Sequence, residues 1–211
     1  MNARFRCLSV CFVFVACTHG FADEGNSSVP SWESFFEYHS SSGAFGTFET
    51  KGVTQGMWEG IEAGQEYTAN YTLEPAEDGK SIRASHRMET ASGQVISIGV
   101  GLQYWDQRTN SVLSSYSGFD QGSVFSGVSK VRSFQPSEKK LEWEYTETSH
   151  GKTTKYLQTI QQTGANEKLQ VARKADGGAE WTEKLTRVEV RQTGSERRSV
   201  LQRLRRRVTR D

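Results

Sequence analysis

Between residues 43 and 192 the chain consists of stretches in which hydrophobic and polar residues alternate, separated by clusters of turn-forming residues. In one such stretch, Leu141, Trp143 and Tyr145 fall on one face of an extended chain, whereas Glu142 and Glu144 fall on the other. This period of two is typical of a β-strand with one buried face and one solvated face. The pattern therefore predicts that residues 43–192 form an all-β domain.

The turn signals recur about every fourteen residues and leave about ten strands of roughly eight to eleven residues each. They lie at Ala63-Gly64, Asp78-Gly79, Ser92-Gly93, 107–110, 120–122, 136–138, His150-Gly151, 163–166 and 176–178. Because no helical pattern interrupts the strands, we expect consecutive strands to pair as an antiparallel meander. A flat sheet of this size would leave exposed edges. We therefore predict closure into a barrel of about 8–10 strands, the first of them at Gly56–Ala63.

A short helical pattern precedes the barrel. Ser31 is a suitable N-cap, and Trp32, Phe35 and Phe36 would share one side of a helix that reaches His39. We predict a lead segment with this helix over residues 23–42.

The first 22 residues have the pattern of an export signal. Arg4 and Arg6 precede an apolar run from Cys7 to Cys17, and small residues stand at Gly20 and Ala22. We predict cleavage after Ala22 and a periplasmic or secreted protein. Lipidation at Cys17 is the alternative that we favour less, because Phe14 stands where a lipoprotein signal has an aliphatic residue. Since all three cysteines lie in this segment, the exported chain would have neither disulfides nor thiolate chemistry.

The net charge of +1 hides an uneven distribution. Residues 23–195 hold 17 basic and 23 acidic residues, a net charge of −6, whereas residues 196–211 carry +5. Leu201, Leu204 and Val208 would lie on one side of a helix in the tail, residues 193–211, so the tail could contact an anionic membrane surface. The basic residues concerned are Arg197, Arg198, Arg203, Arg205, Arg206, Arg207 and Arg210. The alternatives are a disordered solubilising tail and an Arg-rich helix that docks on the acidic barrel of the same chain. We predict no nucleic-acid partner, because an exported protein seldom meets one.

Sequence signatures of catalysis are absent. The chain has no Gly-x-Ser-x-Gly, no phosphate-binding loop and no His-Glu-x-x-His. Glu142 and Glu144 lie opposite an apolar strand face and are expected in solvent. We predict neither a cofactor nor a metal ion.

A closed barrel of this size can enclose one small ligand, and aromatic residues occur on most of the predicted strands. We expect inward aromatic side chains to line such an interior or, alternatively, to fill it. The candidates for ligand contact are Trp58, Tyr104, Tyr116, Trp143 and Tyr145. Ser97, Ser114 and Gln158 would supply hydrogen bonds where the register turns them inward.

Two short motifs extend this picture. The segments Gly43-Ala44-Phe45-Gly46 and Gly56-Met57-Trp58-Glu59-Gly60 each offer a Gly-x-aromatic start, and Leu185-Thr186-Arg187-Val188-Glu189 places an Arg late in the chain. With the exported meander, they make residues 43–191 resemble the calycin superfamily of lipocalins, fatty-acid-binding proteins and lipocalin-like bacterial domains. The resemblance implies that Trp58 closes the barrel base and that Arg187 holds a ligand carboxylate, although Glu189 stands where fatty-acid-binding proteins have Tyr. Arg187 could instead pair with Glu183.

These observations lead to three hypotheses. The first is an exported barrel that binds a small apolar or amphiphilic molecule without catalysis. The second is an enzyme with acid–base chemistry in the barrel, for which Arg187, Glu183 and an inward Tyr or His86 are the candidates. The third is an interaction module attached to the cell envelope through its basic tail.

Overall fold

The computed structural model of the chain describes residues 30–54, 60–120, 122–177 and 180–188. One helix, α1 (Trp32–Ser41), precedes ten strands, and a 3-10 turn at Pro136–Glu138 separates the sixth strand from the seventh. The strands are β1 (Gly46–Val53), β2 (Glu66–Pro75), β3 (Ser81–Thr90), β4 (Val95–Asp106), β5 (Ser111–Asp120), β6 (Ser123–Gln135), β7 (Lys140–Ser149), β8 (Lys152–Gly164), β9 (Glu167–Lys174) and β10 (Glu180–Val188).

Each strand pairs antiparallel with the next along the chain, and β10 pairs with β1 through Phe48 and Arg187. This last pairing, over three residues of each strand, closes the barrel. The predicted all-β meander closed into a barrel, with a short helix before it, is confirmed. The signal segment (1–22) and the basic tail from residue 193 lie outside the described residues.

The hairpin between β7 and β8 illustrates why the predicted turns form. His150 and Gly151 both have positive φ, 52° and 69°. A two-residue turn of this hand matches the right-handed twist of the strands, and glycine adopts it without steric cost.

The first strand lies about ten residues earlier than predicted, at Gly46–Val53 instead of Gly56–Ala63. The described part of the predicted range, Gly60–Ala63, is a loop. Hydrogen bonds to Thr54 hold this loop in place. The Thr54 hydroxyl, 1% exposed, donates to the Glu62 carbonyl at 2.5 Å and accepts from the Gln65 amide at 2.9 Å. These bonds satisfy two backbone groups of the loop, so these groups need no neighbouring strand.

Helix α1 closes one end of the barrel. The Ser31 hydroxyl caps it by accepting from the Ser34 amide at 3.2 Å, as predicted. Phe35 is fully buried and packs edge-on against Trp143, with ring centroids 5.9 Å apart. The core at this closed end consists of Phe35, Ile82, Val112, Val131, Phe134, Leu141 and Trp143.

The register of β4 turns small and polar residues inward. Ser97 and Gln103 face the interior, as Gly99 and Gly101 do, whereas three apolar residues between them face outward. Ile98, Val100 and Leu102 are between 43% and 48% exposed. The face of β4 that carries these three residues is therefore the outer one.

Candidate functional site

The barrel encloses a cavity of about 480 Å³. This volume is in the range of small-molecule sites, about 300 to 1,000 Å³. Tyr38 and His39 of α1 bound the cavity at the closed end, together with Leu141 and Trp143. The interior is therefore open space beyond a packed floor, and not a filled core.

The structure brings three of the predicted contact residues together at the cavity wall: Tyr116, Trp143 and Tyr145. Ser97, Ser114 and Gln158, predicted as hydrogen-bonding residues, also line the cavity. The alternation of the strands explains this arrangement, because each of these residues occupies an inward position on β4, β5, β7 or β8.

The other predicted contact residues lie elsewhere. Tyr104 follows the inward Gln103 on β4, so alternation places it on the outer face, and it does not line the cavity. Trp58 lies outside the described residues.

Arg187 lies at the closed end and not in the described cavity wall. Its guanidinium donates to the carbonyl of Gly43 and lies over the ring of Phe48, 4.9 Å from the centroid. It therefore ties the chain before β1 to β10. Neither Glu183 nor another carboxylate among the described residues forms a salt bridge with it. Ligand contact by Arg187 stays a prediction.

Inward glycines make room for the aromatic rings of the wall. A Cβ on Gly101 would lie 2.6 Å from Cδ2 of Tyr116, and a Cβ on Gly99 would lie 2.8 Å from Cε1 of His86. Gly127 likewise lies beside Tyr145, and a Cβ on Gly127 would be 2.6 Å from the Tyr145 hydroxyl. Each ring therefore occupies space that a side chain on the neighbouring strand would otherwise fill, and the glycine allows this close approach.

A chain of hydrogen bonds connects Tyr116, His86, Ser97 and Asp120. His86 Nε2 lies 2.7 Å from Ser97 Oγ, His86 Nδ1 contacts the Tyr116 hydroxyl, and the Ser97 side chain bonds to the Asp120 carboxyl. Because a carboxylate only accepts, Ser97 donates to Asp120, His86 donates from Nε2 to Ser97, and Tyr116 donates to Nδ1. The bonds thus all point towards Asp120.

The pKa values of this chain reflect its burial. Desolvation lowers the pKa of His86 to about 4, which keeps the imidazole neutral at pH 7. Desolvation raises the pKa of Asp120, while the hydrogen bond from Ser97 acts in the opposite direction.

Two further carboxyl groups line the cavity. The Tyr71 hydroxyl donates to Glu183 at 3.3 Å, and the Tyr145 hydroxyl donates to Glu147 at 2.9 Å. Burial raises the pKa of both carboxyls, and of the two tyrosines as well. Glu147 is also within electrostatic range of Asp120, which raises its pKa further.

One basic side chain marks the closed end of the cavity. Lys168 Nζ donates to the Ala44 carbonyl at 2.8 Å and lies 3.6 Å from the ring centroid of Phe48. Burial, and secondarily the charge of Arg187, lowers the pKa of Lys168 to about 7.

Sequence reasoning missed Tyr71, Asp120 and Glu147 as site residues. Strand alternation carried a signal for the two acids. Asp120 has the same parity as Tyr116 on β5, and Glu147 has the same parity as Tyr145 on β7. Residues of equal parity share a strand face, so both acids were candidates for the interior.

No protein-family model matches the chain, and no curated protein has a significantly similar sequence. The fold and the cavity define the class: a closed ten-stranded antiparallel β-barrel with a short helix at one end, an architecture compatible with a calycin-like fold. In the part of the chain that the structure describes, no three His, Cys, Asp or Glu side chains are placed to hold a metal ion. No helix of that part is long and apolar enough to cross a membrane.

Proposed function

We propose that this protein is an exported binding protein whose barrel interior holds a small amphiphilic molecule. The observation that supports it is the cavity of about 480 Å³ inside a closed barrel. A fold that needed only stability would fill this space, because apolar packing and dispersion contacts favour dense interiors.

The wall has the two components that an amphiphilic ligand requires. Phe125 and Trp143, 4% and 3% exposed, offer buried apolar surface. Gln158, Gln170 and Ser129 add polar groups in the same cavity, which would orient the ligand.

Acid–base catalysis in the cavity is supported less well. The chain from Tyr116 to Asp120 contains a histidine, but a pKa of about 4 makes His86 a weak base at neutral pH. A general base works best with a pKa near the working pH. We therefore place binding before catalysis.

Export and membrane contact are part of the proposal, and both rest on sequence outside the described residues. The signal pattern of residues 1–22 supports secretion or a periplasmic location. The Arg-rich residues 196–211 support contact with an anionic membrane surface.

Native mass spectrometry of the protein purified from its own cells tests binding and export together. We expect a bound small molecule, released on denaturation, on a chain that begins at Asp23. A barrel with its interior obstructed provides the comparison: Ser129→Phe lies in the cavity wall, whereas Ser126→Phe lies on the exposed face of the same strand.

The S129F protein should lose the bound molecule and the S126F protein should retain it. Equal occupancy in both variants, or a folded wild-type protein that carries no small molecule and binds none of a series of hydrophobic probes, would overturn the proposed binding function.

A further inference from the structure

Three carboxyl groups share the middle of the barrel and the end opposite α1. Glu183 faces the interior from β10, while Asp120 and Glu147 face it near the ends of β5 and β7. All three line the same cavity, and the bonds described above aim neutral hydroxyl groups at them.

Neutral donors are the main described partners of these carboxyls. Glu183 accepts from Tyr71 and, at 3.5 Å, from the Gln170 amide, and Glu147 accepts from Tyr145. The salt bridges among the described residues use other acids, for example Glu142 with Lys140 at 3.0 Å. A buried carboxylate without a cation retains most of its desolvation cost.

Two basic groups, Lys168 in the cavity wall and His150 outside it, form no described salt bridge with the three carboxyl groups. Lys168 directs its ammonium to the Ala44 carbonyl and the Phe48 ring at the closed end. His150 acts electrostatically on Asp120 from an exposed turn. The middle of the cavity is therefore acidic. Neither Lys168 nor His150 contacts its carboxyl groups directly.

Aromatic faces surround the same space. The rings of Tyr116 and Phe125 lie 5.7 Å apart, and His86 stacks on both, with centroids 5.6 and 6.1 Å away. The negative face of an aromatic ring attracts a cation, and more strongly when the pair is removed from water. Carboxylates beside such rings are the arrangement that an ammonium group needs.

We propose that the molecule held in the barrel is a cation: an amphiphile with an amine or quaternary ammonium group that lies among Asp120, Glu147 and Glu183. This inference rests on the proposed binding function and specifies its ligand class. An anionic ligand such as a fatty acid, which the calycin resemblance implied through Arg187, would place a further carboxylate among these three carboxyl groups.

Three fluorescent probes of one shape test the charge preference. Diphenylhexatriene is neutral, its trimethylammonium derivative is cationic, and its propionate derivative is anionic. We expect the cationic probe to bind at least tenfold more tightly than the neutral one in fluorescence titrations at pH 7.5, and the anionic probe to bind most weakly.

Variants of one strand assign the preference to the cavity. Glu147→Gln removes an inward charge, and Glu144→Gln removes an exposed charge from the outer face of β7. The E147Q protein should lose most of the preference for the cationic probe while its affinity for the neutral probe is kept. The E144Q protein should behave as the wild type, and circular dichroism checks that both are folded.

The outcomes separate this inference from the proposed function. If the neutral probe binds as tightly as the cationic one, or if E147Q and E144Q do not differ, the cation inference is overturned while binding stands. If none of the three probes binds to the folded protein, the binding function and the cation inference both fall.

Discussion

The buried imidazole of His39 should make the barrel lose stability on acidification. His39 is 3% exposed, its Nδ1–H donates to the Phe35 carbonyl at 2.9 Å, and its ring centroid lies 4.3 Å from that of Phe35. Protonation would place a charge on Nε2 among aromatic rings. Burial is the main reason that the pKa of His39 falls from 6.5 to about 4, and the charge of Lys168 contributes in the same direction.

The sign and the size of the effect follow from proton linkage. Between pH 6.5 and pH 4 the unfolded chain binds a proton at His39 that the folded barrel excludes, so the free energy of unfolding rises with pH in this window. Acidification from pH 7 to pH 4.5 should therefore reduce stability by about 2 kcal/mol through this one group.

Replacement of His39 by Phe tests the effect. The H39F protein keeps a ring in the core but cannot take up the proton. Urea unfolding, followed through the fluorescence of the buried Trp143, gives the free energy of unfolding of both proteins at intervals from pH 4.5 to 7.5. We expect the wild type to lose about 2 kcal/mol relative to H39F across this range, whatever the difference at pH 7. The comparison cancels the titration of all other groups.

His150 offers the matched control. It lies in an exposed turn with φ 52°, which Asn tolerates, and it acts electrostatically on Asp120, so His150→Asn should alter the pH profile much less than H39F does. Parallel pH profiles for H39F and the wild type would refute the reasoning, because they would mean that folding does not change the proton affinity of His39.

Two other predictions concern the cavity wall and the tail. Gly127→Ala should displace the Tyr145 ring, break its bond to Glu147 and weaken binding of the trimethylammonium probe at least fivefold; unchanged affinity in a folded variant would contradict the role given to Gly127. Removal of Ser195–Asp211 should abolish sedimentation with vesicles that contain anionic lipid at low salt, as measured against neutral vesicles, and unchanged sedimentation would exclude the tail as the membrane contact.

The architecture could be predicted from the sequence because strand period and turn chemistry are local. The His150-Gly151 turn and the alternation of Leu141, Trp143 and Tyr145 depend only on neighbouring residues. The position of the first strand could not be predicted in the same way. Two Gly-x-aromatic segments competed, and the pairing of Phe48 with Arg187 across the whole chain decided between them.

Which face of β4 points inward could not be predicted for a related reason. An alternating strand does not tell which of its two faces points inward when one holds Ile98, Val100 and Leu102 and the other holds glycine and serine. The choice is made by Tyr116 on the neighbouring strand, whose ring needs the space beside Gly101. The cavity is lined largely by aromatic rings and polar groups, which the hydrophobicity of single strands does not reveal.

The barrel can tolerate buried carboxyl groups in its cavity because an apolar core packs at its closed end. Asp120, Glu147 and Glu183 have raised pKa values because burial disfavours their charged forms, so each reduces stability as pH rises above its ordinary pKa. The apolar core around Phe35 at the closed end offsets this cost. A cation bound among the three carboxylates would add to the offset by mass action, since it would bind the folded barrel and not the unfolded chain. The three acids reduce the stability of the folded barrel when they are charged. Their placement in one cavity is what a binding site for a positively charged molecule requires.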